Sequence, residues 1–182
     1  PACQSLDCVS VFAEEVALAA LAADVAAGVD ADDPWSRAVP EHHALRTVGD
    51  RVRVAVPEVA QLVFGGDPGA AERFGDAVRV LLAAADADSA PVDLDPFLAT
   101  GRLLYDGAFV AERYAAVGWF VATDPPDLDP VVGGIIEASA DLPAWKLAAD
   151  RTELERLRQL TLPTWSGADV LVVPSVPELL TV

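Results

Sequence analysis

The sequence lacks several residue types, and each shortage excludes a class of protein. Its 182 residues include no methionine, and the opening PACQSLDC holds no initiator residue, so we expect an interior piece of a longer polypeptide. Cys3 and Cys8 are the two cysteines, and they are too few and too close in sequence for a disulfide framework. We therefore expect two reduced thiols in a cytoplasmic protein.

Long apolar runs are also absent, although 53% of the residues are hydrophobic. The longest candidate, VALAALAADVAAGV at 16–29, is interrupted by Asp24. It falls short of the roughly 18–20 apolar residues that a membrane-spanning helix needs, and it lacks the basic flank of a signal peptide. The sequence thus predicts a soluble protein whose length suffices for one compact domain.

Positive charge is scarce. Twelve basic residues face 29 acidic ones, for a net charge of −17, and Lys146 is the only lysine. A field of this sign repels phosphate backbones and anionic lipid. We therefore predict neither nucleic-acid binding nor membrane docking, and we interpret the acidic residues as a solvated surface.

Motifs for metal, phosphate or nucleophilic chemistry are missing. His42 and His43 are adjacent, so on a helix they would point about 100° apart, and we interpret them as a surface pair. The glycine-rich FGGDPG at 64–69 lacks the Gly-Lys-Ser/Thr ending of a phosphate loop. None of the seven serines lies in GxSxG or beside a second serine in a glycine nest, and none is near Lys146 in sequence. The residues predict no metal, no cofactor and no catalytic residue.

The elements that are present alternate in the manner of an α/β protein. RVRVAVP at 51–57, APVDLDP at 90–96 and ADVLVVPS at 168–175 are typical of strands. Between the first two we expect a helix with Asp67 as its N-cap and a core face of Val78, Leu81 and Leu82. Strand, helix and strand in succession indicate a parallel unit within a mixed α/β domain. Further helices are predicted at 14–28, 96–107, 108–122, 129–139 and 141–165, and a loop at 30–40.

The last of these helices is the longest. Asp141 occupies the position expected of its N-cap, and Pro143 follows. Charges are spaced along it in the manner of a solvated helix face. These charges are Asp150, Arg151, Glu153, Glu155, Arg156 and Arg158.

Tyr105 and Arg113 stand out in the apolar stretch LLYDGAFVAERYAA at 103–116. A guanidinium group matches a carboxylate with a planar fork, and a phenol adds one directional donor. In one unbroken helix, eight residues leave the two side chains roughly 80° apart, and a bend at Gly107 would change that angle. The alternative is that Tyr105 packs and Arg113 pairs with Asp106 or Glu112. Composition alone favours this alternative.

Four segments resemble the allophanate hydrolase branch of the amidase-signature family. PACQSLDCVSVFA is similar to the passage after that branch's nucleophile loop, and LLYDGAFVAERYAAVG is similar to its LY-x-GP-x-VAERYAA segment. DPVVGGIIEASADLPAW resembles PVV-x-GII, and GADVLVVPSVPELLTV resembles the closing strand that amidases share. The matches follow the family's order along nearly all of 1–182, so we expect one partial amidase domain.

The resemblance implies the C-terminal portion of the amidase-signature fold, an α/β domain with a mixed sheet flanked by helices. It implies hydrolysis of allophanate to ammonia and carbon dioxide in urea degradation, by a homodimeric cytoplasmic enzyme alongside a urea carboxylase. The family's serine, cis-serine and lysine would lie upstream of Pro1, so this chain alone is expected to be inactive. In the family, Tyr105 and Arg113 correspond to the residues that bind the substrate's carboxylate.

Three departures from the pattern keep other functions open. The family's Gly-Pro is Gly107-Ala108 here, its closing Pro-Thr is Pro174-Ser175, and the chain stops at Val182. The first departure loosens the turn that aims Tyr105. The alternatives are an amidase-signature enzyme with another amide substrate, and a non-catalytic remnant that acts by association.

Overall fold

The computed structural model describes residues 4–38 and 51–176, which form two compact units. The first unit comprises 4–38 and 108–143, and the second comprises 51–107 and 144–176. Cys3, His42 and His43 lie outside the described residues. The assignment of 1–182 to one partial domain stays a prediction.

A small parallel sheet forms the centre of the second unit. Its strands are β1 (Arg53–Pro57), β2 (Asp88–Val92) and β3 (Val170–Leu171), in the order β2-β1-β3. Ala55 of the central strand lies opposite Ala90 on one side and Leu171 on the other. The predicted α/β class is confirmed, and within the described residues all three strands run in the same direction.

The core of this unit lies where helices cover the sheet. Ala55, Val92 and Ala168 are buried together, and Phe97 and Leu171 pack against them. The ring of Phe97 also meets Trp165 edge-on, with 6.1 Å between the ring centroids. This arrangement places the start of the helix that begins at Asp95 against the sheet. The helices of the unit are α2 (Ala70–Ala84), α3 (Asp95–Leu103), α6 (Ala144–Thr161) and α7 (Thr164–Gly167).

Helix α2 begins later than predicted. Its first residue is Ala70 and its N-cap is Gly69, because Asp67 accepts the backbone N–H of Gly69 at 2.9 Å and so closes a turn ahead of the helix. The predicted core face is only partly correct. Val78 is buried, whereas Leu81 is 42% exposed.

Helix α6 also begins after its predicted cap. It starts at Ala144, so Pro143 rather than Asp141 precedes its first residue. Asp150 is a second correction. It was expected on the solvated face, yet it is buried with 9% of its surface exposed.

The first unit is helical in its described part. It contains α1 (Val16–Ala26), α4 (Ala111–Val121) and α5 (Pro130–Glu137), and α4 packs against α5. Asp129 caps α5 by accepting the backbone N–H groups of Val131 at 2.9 Å and Val132 at 3.0 Å. Residues 30–38, the described part of the predicted loop, contain neither helix nor strand.

Candidate functional site

The carboxyl ends of the three strands meet at one edge of the sheet, which in open α/β folds is where ligands bind. A cavity of about 350 Å³ lies there, bordered by residues that follow each strand. Its walls are mostly apolar, and Gln61 and Ser175 are the polar residues among them. The lining residues are Gln61, Leu62, Val63, Leu94, Phe97, Leu98, Leu171, Val173, Pro174, Ser175 and Val176.

Gln61 connects two walls of this edge cavity. Its side-chain nitrogen donates to Asp93 at 2.7 Å, and its side-chain oxygen accepts the backbone N–H of Leu94 at 3.1 Å. Gln61 ends the 3₁₀ turn Val59–Gln61 after β1, whereas Asp93 and Leu94 follow β2. Gln61 was not among the predicted site residues. The signal for it was its position just beyond a predicted parallel strand.

Tyr105 lies in the second unit, just beyond the end of α3. It is 60% exposed and borders a second, shallower cavity of about 400 Å³ together with Arg102 and Asp106. The backbone N–H groups of Tyr105 and Asp106 both donate to the carbonyl oxygen of Arg102, at 3.1 and 2.8 Å. The chain therefore folds back on the last turn of α3 at this point.

Gly107 follows at a place where a side chain does not fit. A Cβ atom there would collide with the carbonyl oxygen of Leu103 and would lie 2.9 Å from Oδ2 of Asp150 on α6. The same Oδ2 accepts from Nζ of Lys146 at 3.0 Å, one helical turn earlier. The carboxylate of Asp150 thus lies against the turn that carries Tyr105.

Arg113 lies in the first unit, within the first turn of α4, and it is half-buried. The neighbouring carboxylate of Glu112 accepts the backbone N–H of Ser5 at 2.8 Å and its hydroxyl at 2.5 Å. The start of α4 is therefore tied to the beginning of the described chain. Glu112 was expected, in the alternative interpretation, as an ion-pair partner of Arg113.

Tyr105 and Arg113 thus lie on the two sides of a predicted break between helices. The break is confirmed: α3 ends at Leu103, and α4 begins at Ala111 after the buried 3₁₀ turn Ala108–Val110. The two residues belong to different units. Their convergence on one ligand stays a prediction.

The residues with displaced pKa values are on the surface and line neither cavity. The N–H of Gly69, followed by the side chain of Arg73, lowers the pKa of Asp67. On α6, the hydrogen bond from Arg156 lowers the pKa of Glu153 and raises that of Arg156. Exposed ion pairs of this kind contribute little to stability.

The described residues hold neither a metal-ligand cluster nor a membrane-spanning helix. Within 4–38 and 51–176, no three His, Cys, Asp or Glu side chains cluster as metal ligands would. The helices of these ranges include none of the length and apolarity needed to span a membrane. Cys8 is an exposed, free thiol.

Comparison with known sequences gives two urea amidolyases. The chain is 38% identical over 184 residues to that of Lachancea kluyveri and 32% identical over 180 residues to that of Saccharomyces cerevisiae. Each match covers 97% of this chain and 10% of the relative. The chain therefore spans about a tenth of these proteins. No family model matches it.

Solved structures give the same result for the fold. Kluyveromyces lactis allophanate hydrolase matches with a TM-score of 0.85 at 32% identity, over 97% of this chain and 29% of that protein. The K. lactis urea amidolyase matches with a TM-score of 0.86 at 33% identity, over 97% of this chain and 11% of that protein. At this identity the shared fold reflects common ancestry.

Proposed function

We propose that this chain, an allophanate hydrolase-like segment, supplies the substrate-binding part of an amidohydrolase. The premise agrees with what its sequence motifs predicted. The substrate is allophanate, a carboxylated urea, and the products are ammonia and carbon dioxide. The observation that carries the proposal is the match to K. lactis allophanate hydrolase over 97% of this chain. We further propose cytoplasmic urea degradation as the setting.

Tyr105 and Arg113 are the residues that we assign to the carboxylate end of the substrate. An arginine fork and a phenol suit a carboxylate, because both donate hydrogen bonds and the arginine neutralises the charge. Tyr105 is accessible, since it borders a cavity and is 60% exposed. Arg113 is half-buried at the start of a helix whose neighbouring Glu112 is anchored by Ser5.

The nucleophile and base are assigned to residues outside this chain. The hydroxyl of Ser5 is engaged by Glu112, and that of Ser139 donates to the carbonyl oxygen of Ile136 at 2.7 Å. The only lysine, Lys146, forms an ion pair with Asp150. We expect residues 1–182 alone to release no ammonia from allophanate, and turnover by the isolated chain would contradict this assignment.

The binding assignment is tested with two substrates that differ only in charge at one end. Allophanate carries a carboxylate where biuret carries a neutral amide, and ammonia release from each is measured with the polypeptide as its gene encodes it. Arg113→Ala should lower kcat/KM for allophanate about 30-fold or more, because truncating one partner of a charged pair costs about 2–5 kcal/mol. The kcat/KM for biuret should change by less than about threefold.

Matched variants control for general damage. Tyr105→Phe removes the phenol hydroxyl and should raise KM for allophanate. Its control is Tyr114→Phe, because these are the two tyrosines of the chain. Arg79→Ala is the control for Arg113→Ala, because Arg79 forms an exposed ion pair with Asp76 on α2. An equal loss on allophanate and biuret in Arg113→Ala would refute carboxylate recognition.

A second candidate function is hydrolysis of a neutral, apolar amide. The edge cavity favours it, because none of its lining residues carries a charge. In that case biuret or a longer aliphatic amide would be the better substrate, and Arg113→Ala would affect all substrates alike. The two-substrate assay therefore separates the candidates.

Two partners complete the proposal. A urea carboxylase would supply allophanate, and a second copy of the same protein would form a homodimer. Light scattering of the purified protein tests the dimer, and a monomeric mass at assay concentration would contradict it. Co-purification with carboxylase activity from the source cells tests the other partner. If carboxylase activity does not co-purify from cells grown on urea, this result would count against the carboxylase as a partner.

A further inference from the structure

We propose that Asp150 is a positioning residue for Tyr105: its buried carboxylate, oriented by Lys146, packs on side-chain-free Gly107 and thereby sets the turn that presents the phenol. The inference rests on the function proposed above, because the purpose it assigns to the turn is to aim Tyr105 at a carboxylate. It concerns the second unit alone, which contains all four residues.

Burial of a charge is the first observation. Asp150 is one of two buried polar residues in the described part of the chain, and the other is Ser139. Burying a carboxylate is unfavourable unless it is paired and hydrogen-bonded. We attribute the presence of a buried acid on α6 to a specific task of its carboxylate.

The ion pair on α6 provides the orientation. Nζ of Lys146 lies 3.3 Å from Oδ1 and 3.0 Å from Oδ2 of Asp150, so it contacts both oxygens. The side chains are 32% and 12% exposed. The neighbouring pair Glu153–Arg156 is far more exposed, at 40% and 58%. Lys146 therefore contributes to orienting a carboxylate that is largely buried.

The turn after α3 provides the surface that the carboxylate meets. Residues 104–106 fold back through three backbone hydrogen bonds to Gly101 and Arg102, and Gly107 then passes between the carbonyl oxygen of Leu103 and Asp150. Helix α3 also packs along α6. The backbone that carries the side chain of Tyr105 is thus confined on one side by α3 and on the other by Asp150.

The consequence for binding is geometric. A misplacement of about 1 Å in a substrate-positioning group costs up to about 100-fold in rate. A change that removes ground-state and transition-state binding equally raises KM and leaves kcat unchanged. We therefore expect Asp150→Asn to raise KM for allophanate about 10-fold or more with little change in kcat, while Glu153→Gln on the same helix leaves both unchanged.

A double-mutant cycle separates positioning from general support. Asp150→Asn is made in the wild-type and in the Tyr105→Phe background of the gene-encoded polypeptide. If Asp150 acts through Tyr105, the second background should show less than about a twofold further rise in KM, because coupled residues are not additive. A full additional rise in KM would overturn the inference.

Hydrogen exchange gives a readout that does not depend on activity. Asp150→Asn should accelerate exchange of the amides of 104–107 and leave those of α2 unchanged, whereas uniform acceleration throughout the chain would overturn the inference. Asp150→Glu is the second variant in case Asp150→Asn fails to fold. It keeps the charge, moves the oxygens against Gly107, and should raise KM as well.

The outcomes distinguish this inference from the proposed function. If Tyr105→Phe leaves KM for allophanate unchanged, the proposed binding role fails, and local exchange at 104–107 still decides whether Asp150 sets the turn. If Tyr105→Phe raises KM while Asp150→Asn and Asp150→Glu change neither KM nor local exchange, the proposed function survives and the positioning role is refuted.

Discussion

The turn that carries Tyr105 and the helix start that carries Arg113 are held by different kinds of contact. The turn that carries Tyr105 is held by close packing, because no side chain fits at Gly107 between the carbonyl oxygen of Leu103 and the carboxylate of Asp150. The helix start that carries Arg113 is held by hydrogen bonds, since Ser5 donates two of them to Glu112 beside Arg113. The stability of the turn should therefore be sensitive to added atoms, and that of the helix start to the loss of a hydrogen-bond donor.

The largest effect is expected where an atom is added to the excluded space. Gly107→Ala should lower the free energy of unfolding by about 2–3 kcal/mol, because overpacking shifts side chains and backbone. Gly75→Ala is the control. A Cβ at that position in α2 meets nothing within 4 Å, so the change should be stabilising by about 0.5–1 kcal/mol. Denaturant unfolding measures both, and equal stability of the two variants would abolish the contrast.

A smaller effect is expected where a donor is lost. Ser5→Ala removes the hydroxyl but keeps the backbone N–H, so the free energy of unfolding should fall by about 1.5 kcal/mol, the low end for a hydrogen bond to a charged group. Ser89→Ala, at an exposed position of β2, should change it by less than about 0.5 kcal/mol. If the two serine variants unfold at the same denaturant concentration, the bond to Glu112 does not anchor α4.

The smallest effect is expected at a surface contact outside both regions, which provides a baseline. The folded pKa of Asp67 lies below its ordinary value of 3.8, chiefly because of the Gly69 N–H. A depressed pKa contributes stability that is present above the unfolded value and is lost as pH falls through the folded value. Asp67→Asn should therefore flatten the acid side of the stability profile below about pH 4.

The control for this baseline is Asp24→Asn on α1, an exposed carboxylate in the other unit. Thermal unfolding between pH 2 and pH 7 measures both variants. A profile for Asp67→Asn that is as steep as that of the wild type would show that the turn before α2 adds no acid sensitivity.

Much of the fold was predictable because its signals are local. The strand at 51–57 alternates β-branched residues, and the break at Gly107 falls between two apolar helical segments; both are confirmed. β2 instead begins at Asp88, two residues before the predicted strand. It is an edge strand of the described sheet, where polar residues are tolerated, and Asp88 pairs there with Arg51 at 2.9 Å.

The site was less predictable because it depends on contacts between distant residues. Asp150 was assigned to a solvated face from helical charge spacing, whereas its burial depends on packing between separate segments, including α3 and the turn at Gly107. The tie from Ser5 to Glu112 joins residues 107 positions apart. Tyr105 and Arg113 were found by chemistry and family resemblance, which identify the groups but carry no information on what holds them.

The most direct test of carboxylate recognition is equilibrium binding of malonamate and malonamide, measured calorimetrically. These compounds replace the central nitrogen of allophanate and biuret by carbon and differ only in the charged end. We predict that the protein binds malonamate more tightly by about 10-fold or more, and that Arg113→Ala abolishes this preference. Equal affinity for the two compounds in the unaltered protein would contradict the account.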